Sequence, residues 1–166
     1  GLKFLQADGT FLNPKQCEKL FKSVDNKIQK KSTASIGKIS NYKDADKDHI
    51  EAILKLSCIE PEKIKNNKFK VIIDATNGGA SKILPALCKA LNCSVTMISC
   101  DGNGDYSRNP EPLSINLSEL EKRVIKENAD IGLATDPDGD RLSIVSNKGI
   151  AIGEELSLPL AIMNYS

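Results

Sequence analysis

The chain has 166 residues, 40% of them hydrophobic and 27% charged, and its 23 Lys and Arg against 22 Asp and Glu leave a net charge of +1. That balance gives no electrostatic footprint for a polyanion, and the absence of Trp beside 4% aromatic residues removes a stacking platform for nucleic acid. The length suits one domain, or one domain with a piece of another. The five Cys are an odd number without C-x-x-C spacing, and Cys17, Cys58 and Cys88 fall on or beside apolar helix faces, where Cys acts as a small hydrophobe. This pattern suits a reducing compartment. Neither a signal peptide nor a long apolar run is seen, so the reading is a soluble cytoplasmic protein without membrane or nucleic-acid partners. The sequence starts at Gly1 rather than Met and stops just after an apolar stretch, so a fragment of a longer chain is expected.

In chain order, Leu2 to Leu5 and Thr10 to Leu12 flank an Asp8-Gly9 turn and predict a short hairpin. Asn13 and Pro14 supply an N-cap and a first-turn proline. Cys17, Leu20, Phe21, Val24 and Ile28 then recur on one helical stripe, which is expected to be core. Residues 29 to 45 are polar and read as a loop. Asp46 is expected to cap a second helix, with Ile50, Ile53 and Leu54 on one face. Pro61 to Lys68 reads as a break, and the domain boundary is expected between Ser57 and Lys68. The expected organisation is therefore 1–45 as the end of one domain (hairpin, helix, loop), 46–68 as a linker helix and connection, and 69–166 as a second domain.

From Phe69 the pattern changes. Val71-Ile72-Ile73 is a continuous β-branched run, as in a strand buried on both faces. Asp74 to Ala80 is a Gly-rich turn. Ile83, Leu84, Leu87, Cys88 and Leu91 form a helical stripe, with Pro85 tolerable only in its first turn. Val95 to Ile98 is a second strand, and Asp101 to Asn116 a long loop, in which 101–105 reads as a flexible turn. Ser118 and Glu121 suggest a capping box for a helix carrying Leu120, Val124 and Ile125. Ile131 to Ala134 and Leu142 to Val145 are two more strands, and Glu154 to Met163 reads as helix. Strand-helix-strand-helix-strand implies right-handed crossovers. The expected fold is α/β: a three-layer domain with a mostly parallel sheet between helices, preceded by an incomplete hairpin-plus-helix segment of another domain.

Between the last two strands lies Thr135-Asp136-Pro137-Asp138-Gly139-Asp140-Arg141. Three carboxylates so close repel, and one would hold a proton unless a cation compensates. Oxygen ligands at Asp136, Asp138 and Asp140 select Mg2+, Ca2+ or Mn2+ rather than zinc. An EF-hand would need Gly at the sixth position and Glu at the twelfth, where Arg141 and Asn147 stand. A haloacid-dehalogenase-type Asp-x-Asp-x-Thr loop would need Thr where Asp140 stands. The bland reading is an acidic surface turn. Arg141 can neutralise a carboxylate or hold a phosphate bidentately. Asn77-Gly78-Gly79 lacks both G-x-G-x-x-G and a Walker Lys, so a plain strand-to-helix turn is expected rather than a phosphate cradle. His49, the single His, reads as a surface residue.

Asp136 to Arg141, after Ala129-Asp130-Ile131-Gly132 and before a strand and Lys148-Gly149, resembles the metal-binding loop of the α-D-phosphohexomutases. Val71 to Asp74 with Asn77-Gly78-Gly79 and Ile83-Leu84-Pro85 is similar to the opening of that family's second domain. Asn109-Pro110-Glu111-Pro112-Leu113 is similar to its acidic Pro-rich loop, and Asp48 to Leu54 to the entering helix. Gly1-Leu2-Lys3 resembles a Gly-x-Lys whose lysine is a proposed general acid/base. The resemblance implies an enzyme of the phosphomannomutase/phosphoglucomutase type. Such an enzyme interconverts hexose 1-phosphate and hexose 6-phosphate through a hexose 1,6-bisphosphate and a phosphoserine. It implies Mg2+ on Asp136, Asp138 and Asp140, Arg141 at phosphate or substrate, and Lys3 moving a proton. The family's Thr-x-Ser-His-Asn-Pro loop is absent here, as are its sugar- and phosphate-binding loops, so partners would be the remaining domains of the same chain. The Pro137 form of the loop leans toward the mannose/glucose phosphate branch. The alternative is a stand-alone, non-catalytic α/β module that binds a cation.

Overall fold

Val71, Ile72 and Ile73 are fully or almost fully buried, and their alternation sends side chains to two separate cores. Val71 and Ile73 join Ala75, Ala80 and Cys88 on one face of a sheet. Ile72 joins Leu117, Leu120, Val124, Ala129, Ala134 and Val145 on the other. A strand buried on both sides must be central, and it is. The computed structural model, which describes residues 4–25 and 37–165, places β1 (Lys70–Asp74) inside a sheet of order β2-β1-β3-β4. β2 (Ser94–Ile98) and β3 (Ile131–Thr135) both run parallel to β1, while β4 (Leu142–Ser146) runs antiparallel to β3.

The chain divides into two units, Gly1–Asn41 and Tyr42–Ser166. In the first, Leu5 and Phe11 form an antiparallel bridge around the Asp8-Gly9 turn, and α1 spans Pro14–Asp25. Asn13 Oδ1 accepts from the Gln16 N–H at 3.0 Å and Gln16 Oε1 accepts from the Asn13 N–H at 2.8 Å, a reciprocal cap. The α1 stripe expected as core is not buried: Phe21 is 65% and Val24 61% exposed. A bridge and one helix have too little surface to enclose it. Lys3 and Ile28 lie outside the described residues.

The second unit contains α2 (Ala45–Leu54), α3 (Pro61–Asn67), α4 (Ala80–Ala90), α5 (Ser118–Glu127) and α6 (Ser157–Tyr165) with the sheet. α4 packs over β1 and β2, and α5 over β1, β3 and β4, giving the expected three layers. The crossovers from β1 to β2 and from β2 back to β3 run in opposite directions along the sheet, which puts right-handed connections on opposite faces. Gly132 is required where α5 crosses β3, because a Cβ there would sit 2.9 Å from Val124 Cγ2 and 3.0 Å from Val145 Cβ.

Several local expectations are corrected. Asp44, not Asp46, is the α2 cap residue, and Asp46 lies in the first turn, where its charge suits the helix dipole. Pro61 to Asn67 is a helix rather than a break, because Pro61 sits at its start, where no N–H is needed. Pro85 is not in the first turn of α4 but inside the helix, with its ring buried. Burial of the ring against the sheet outweighs the missing bond there. Ser118 makes no cap, and Glu121 instead accepts the Ala151 N–H at 3.0 Å, tying α5 to the segment after β4. Among the described residues, no helix is long and apolar enough to cross a membrane.

Burial pushes the Cys88 thiol up to about 11, whereas Cys58 is exposed. A folded pKa above the unfolded value stabilises the fold at neutral pH, and that contribution falls away as pH rises from about 8.5 toward 11. Alkylation at pH 8 followed by peptide mass mapping should label Cys58 within minutes and leave Cys88 unlabelled until the protein is denatured. Equal labelling rates in native buffer would contradict this packing.

Candidate metal centre

β1 and β3 are neighbours, yet the chain leaves their carboxyl ends in opposite directions, toward β2 and toward β4. Such a divergence opens a crevice beyond the strand ends, and ligands of open α/β sheets bind there. The two loops that leave it interlock. The Gly79 N–H donates to the Pro137 carbonyl at 2.8 Å. Gly78 touches the same backbone so closely that a Cβ would stand 2.5 Å from the Pro137 oxygen. The Gly78 and Asn77 N–H groups are used internally, by the Ala75 and Ser99 carbonyls. The turn is the expected strand-to-helix connection, and it also holds the acidic loop through the Pro137 peptide.

The acidic loop turns tightly, with the Gly139 N–H on the Asp136 carbonyl at 3.2 Å and Gly139 at φ +75°. This curl brings one carboxylate oxygen each from Asp136, Asp138 and Asp140 within 4.8 Å of one another. Oxygens at about 2.0–2.6 Å from a shared hard cation lie at most about 4.0–5.2 Å apart, a span comparable with this cluster, so the donor set fits Mg2+, Mn2+ or Ca2+. Asp136 is 2% exposed and anchors the group, while Asp138 and Asp140 face solvent.

Arg141 closes the loop. Its backbone N–H reaches Asp136 Oδ1 at 3.2 Å and its Nε reaches Asp136 Oδ2 at 3.1 Å. Burial pushes the Asp136 carboxyl up, but bonds from the Arg141 backbone and side chain, then from Asp140 and Asp138, outweigh it. They hold Asp136 below the usual carboxylate range. Arg141 Nη1 pairs with Glu111 and lies 3.5 Å from Glu154 Oε1. The Glu111 bond, with that to Asp136, pushes the guanidinium pKa up.

A second arginine, absent from the sequence reading, builds the floor. Arg108 Nε donates to Asp74 Oδ2 at 2.8 Å, and Nη2 to the Thr135 carbonyl at 2.9 Å. Nη1 reaches the Asn109 and Pro110 carbonyls at 2.9 and 3.2 Å. Arg108 thus ties the long loop after β2 to the ends of both β1 and β3. The available signal was Asp74 itself, a carboxylate ending an apolar central strand, which needs a buried cation. The 101–105 stretch is not a free turn either. Asn77 accepts the Asp101 N–H at 2.9 Å, donates to the Asp105 carbonyl at 2.7 Å, and takes the Gly104 N–H on its own carbonyl at 3.0 Å. Lys3 lies outside the described residues, and His49 is exposed on α2.

An α/β/α layer carrying an acidic loop at its switch point describes a class of domain, and the sequence assigns it further. Residues 47–149 match the family model for the phosphoglucomutase/phosphomannomutase α/β/α domain II. More than half of the chain is covered, and the chain belongs to this family, the phosphohexomutase superfamily. It is 32% identical over 158 residues to a probable phosphoglucosamine mutase of Methanocella arvoryzae, covering 94% of this chain and 34% of that protein. It is 32% identical over 149 residues to the phosphoglucosamine mutase of Citrobacter koseri, covering 90% and 33%. Among solved structures, a phosphoglucomutase/phosphomannomutase family protein of Burkholderia thailandensis aligns with a TM-score of 0.62 at 28% identity, covering 85% of this chain and 29% of that one. The chain spans about one third of the length of the curated relatives it matches.

Asp74 and Arg108 are a buried pair, with side chains 4% and 11% exposed. Replacing Arg108 by Ala strands the Asp74 charge and should lower unfolding stability by about 3–5 kcal/mol in urea titrations. Arg108→Lys should recover only part of it, because an ammonium does not reproduce the guanidinium fork. A loss below about 0.5 kcal/mol, the scale of ordinary surface changes, would show that the pair is not what holds the loop.

Proposed function

We propose that this chain is the metal-bearing part of a phosphohexomutase, which interconverts hexose 1-phosphate and hexose 6-phosphate. The observation that carries the reading is the convergence of Asp136, Asp138 and Asp140 at the β1/β3 crevice, inside the segment that matches the family. Asp136, Asp138 and Asp140 would hold Mg2+, which when bound withdraws charge from a phosphoryl group in transit. Arg141, beside the carboxylates, binds phosphate or substrate. Lys3 moves a proton at the sugar hydroxyl. A phosphoserine and the sugar- and phosphate-binding loops come from the remaining domains of the same protein, which acts in the cytoplasm. The phosphoryl group passes from serine to the sugar, giving a hexose 1,6-bisphosphate, which reorients and returns its other phosphate to the serine. The names of the sequence relatives favour a glucosamine phosphate as the sugar, while the Pro137 form of the loop favours mannose or glucose phosphate.

Three carboxylates without the phosphoseryl oxygen make an incomplete coordination shell, so the affinity of this chain for Mg2+ should be low, about millimolar. An NMR titration that follows the Gly139 amide should show fast-exchange shifts in that range. Micromolar binding would contradict a site that depends on a group from elsewhere. In a coupled assay with hexose 1-phosphate and catalytic bisphosphate, the 166-residue chain should show no turnover. Turnover by this chain alone would overturn the division of the active site proposed above.

A further inference from the structure

Arg141 is gripped from three directions. Asp136 belongs to its own loop, Glu111 to the loop after β2, and Glu154 to the turn that leads into α6. The two outside carboxylates both take Nη1, and the side chain reaches Asp136 through Nε. This division has a consequence for the acidic loop. The favoured Arg–carboxylate geometry is bidentate, two parallel bonds onto both oxygens. Such a fork on Asp136 would add a third Arg141 bond to the Nε and backbone N–H bonds already there, leaving about one lone-pair site for a cation. A carboxylate offers about four lone-pair sites, and two single bonds from Arg141 leave some of them open.

The outside carboxylates are well placed for this task. Glu111 rides on a loop that Arg108 fastens to Asp74 and to the Thr135 carbonyl. Glu154 has a side chain only 19% exposed, and its Oε2 is buried without a hydrogen-bond partner among the described residues. A buried carboxylate with one unbonded oxygen needs a cation at the other, and Arg141 is the cation beside it.

We infer that Glu111 and Glu154 are positioning residues, which hold the Arg141 guanidinium turned away from a fork on Asp136 and so keep Asp136 open as a metal ligand. The inference rests on the metal reading of the acidic loop. Outer partners of a metal ligand set affinity as the ligands themselves do, by a factor of about 10–100.

Mn2+ titration followed by EPR, on the chain and on Glu111→Gln, Glu154→Gln, Arg141→Met and the Glu111→Gln/Arg141→Met double variant, tests this. Glu111→Gln and Glu154→Gln should each weaken Mn2+ binding about tenfold. In the Arg141→Met background, Glu111→Gln should have less than about a twofold effect, since interacting residues are non-additive. An equal loss in both backgrounds would mean that Glu111 acts only through its charge, and would overturn the inference while leaving the metal site intact. If the parent chain binds no Mn2+ at tens of millimolar, the metal reading and its positioning corollary fall together. The orientation is read without metal from the Arg141 Nε–H resonance, which should shift in Glu111→Gln and Glu154→Gln. An unchanged Nε–H in both variants would overturn the positioning role. Glu111 is 45% exposed, so its replacement should leave the fold intact, and far-UV circular dichroism checks this.

Discussion

The contact between the turn after β1 and the loop after β3 is the constraint on which the rest of the site depends. Parallel neighbours whose chains diverge leave a gap at their carboxyl ends. Here the two loops that border the gap meet through backbone, Gly79 N–H on the Pro137 carbonyl with Gly78 against the same peptide. No side chain fits between them, so the acidic loop has one seat. From that seat Gly139 can bend the chain and the three carboxylates can converge.

Electrostatics then completes what the backbone begins. Three carboxylates, Glu111, Asp136 and Glu154, gather around Arg141 as their shared cation, and Asp138 and Asp140 converge on Asp136. Arg141 thus joins the loop after β2, the acidic loop and the turn into α6 through one side chain. Arg108 has the opposite task. It is matched to a single buried carboxylate, Asp74, and to carbonyl oxygens, so it is a fastener for the floor and not part of the reactive surface. Two arginines 33 positions apart thus divide the work of structure and site.

The match to about one third of each relative bears on how this architecture is used. The acidic loop lies on the rim of the sheet, where Asp138 and Asp140 face solvent. Such a site is suited to meet an anionic group brought by another part of a protein.

Local chemistry made much of this legible in the sequence. The β-branched run at 71–73 reads as a doubly buried strand, the helical stripe at 83–91 marks its crossover, and the Asp-Pro-Asp-Gly-Asp-Arg spacing marks a tight acidic loop. Each of these signals lies within one element or one turn, so sequence alone determined them, and the resemblance in the same residues led to the right family. The α1 stripe misled because apolar periodicity reports a face that wants cover, not whether cover is present. Glu121 misled because an acid three residues into a helix serves a distant N–H as readily as a cap. The tertiary structure alone decided the outside partners of Arg141 and the partner of Arg108. Glu111 and Glu154 lie 30 and 13 residues from Arg141 along the chain, and Asp74 lies 34 from Arg108. No local pattern encodes such pairs, because they exist only once the crossovers have set the strand ends side by side.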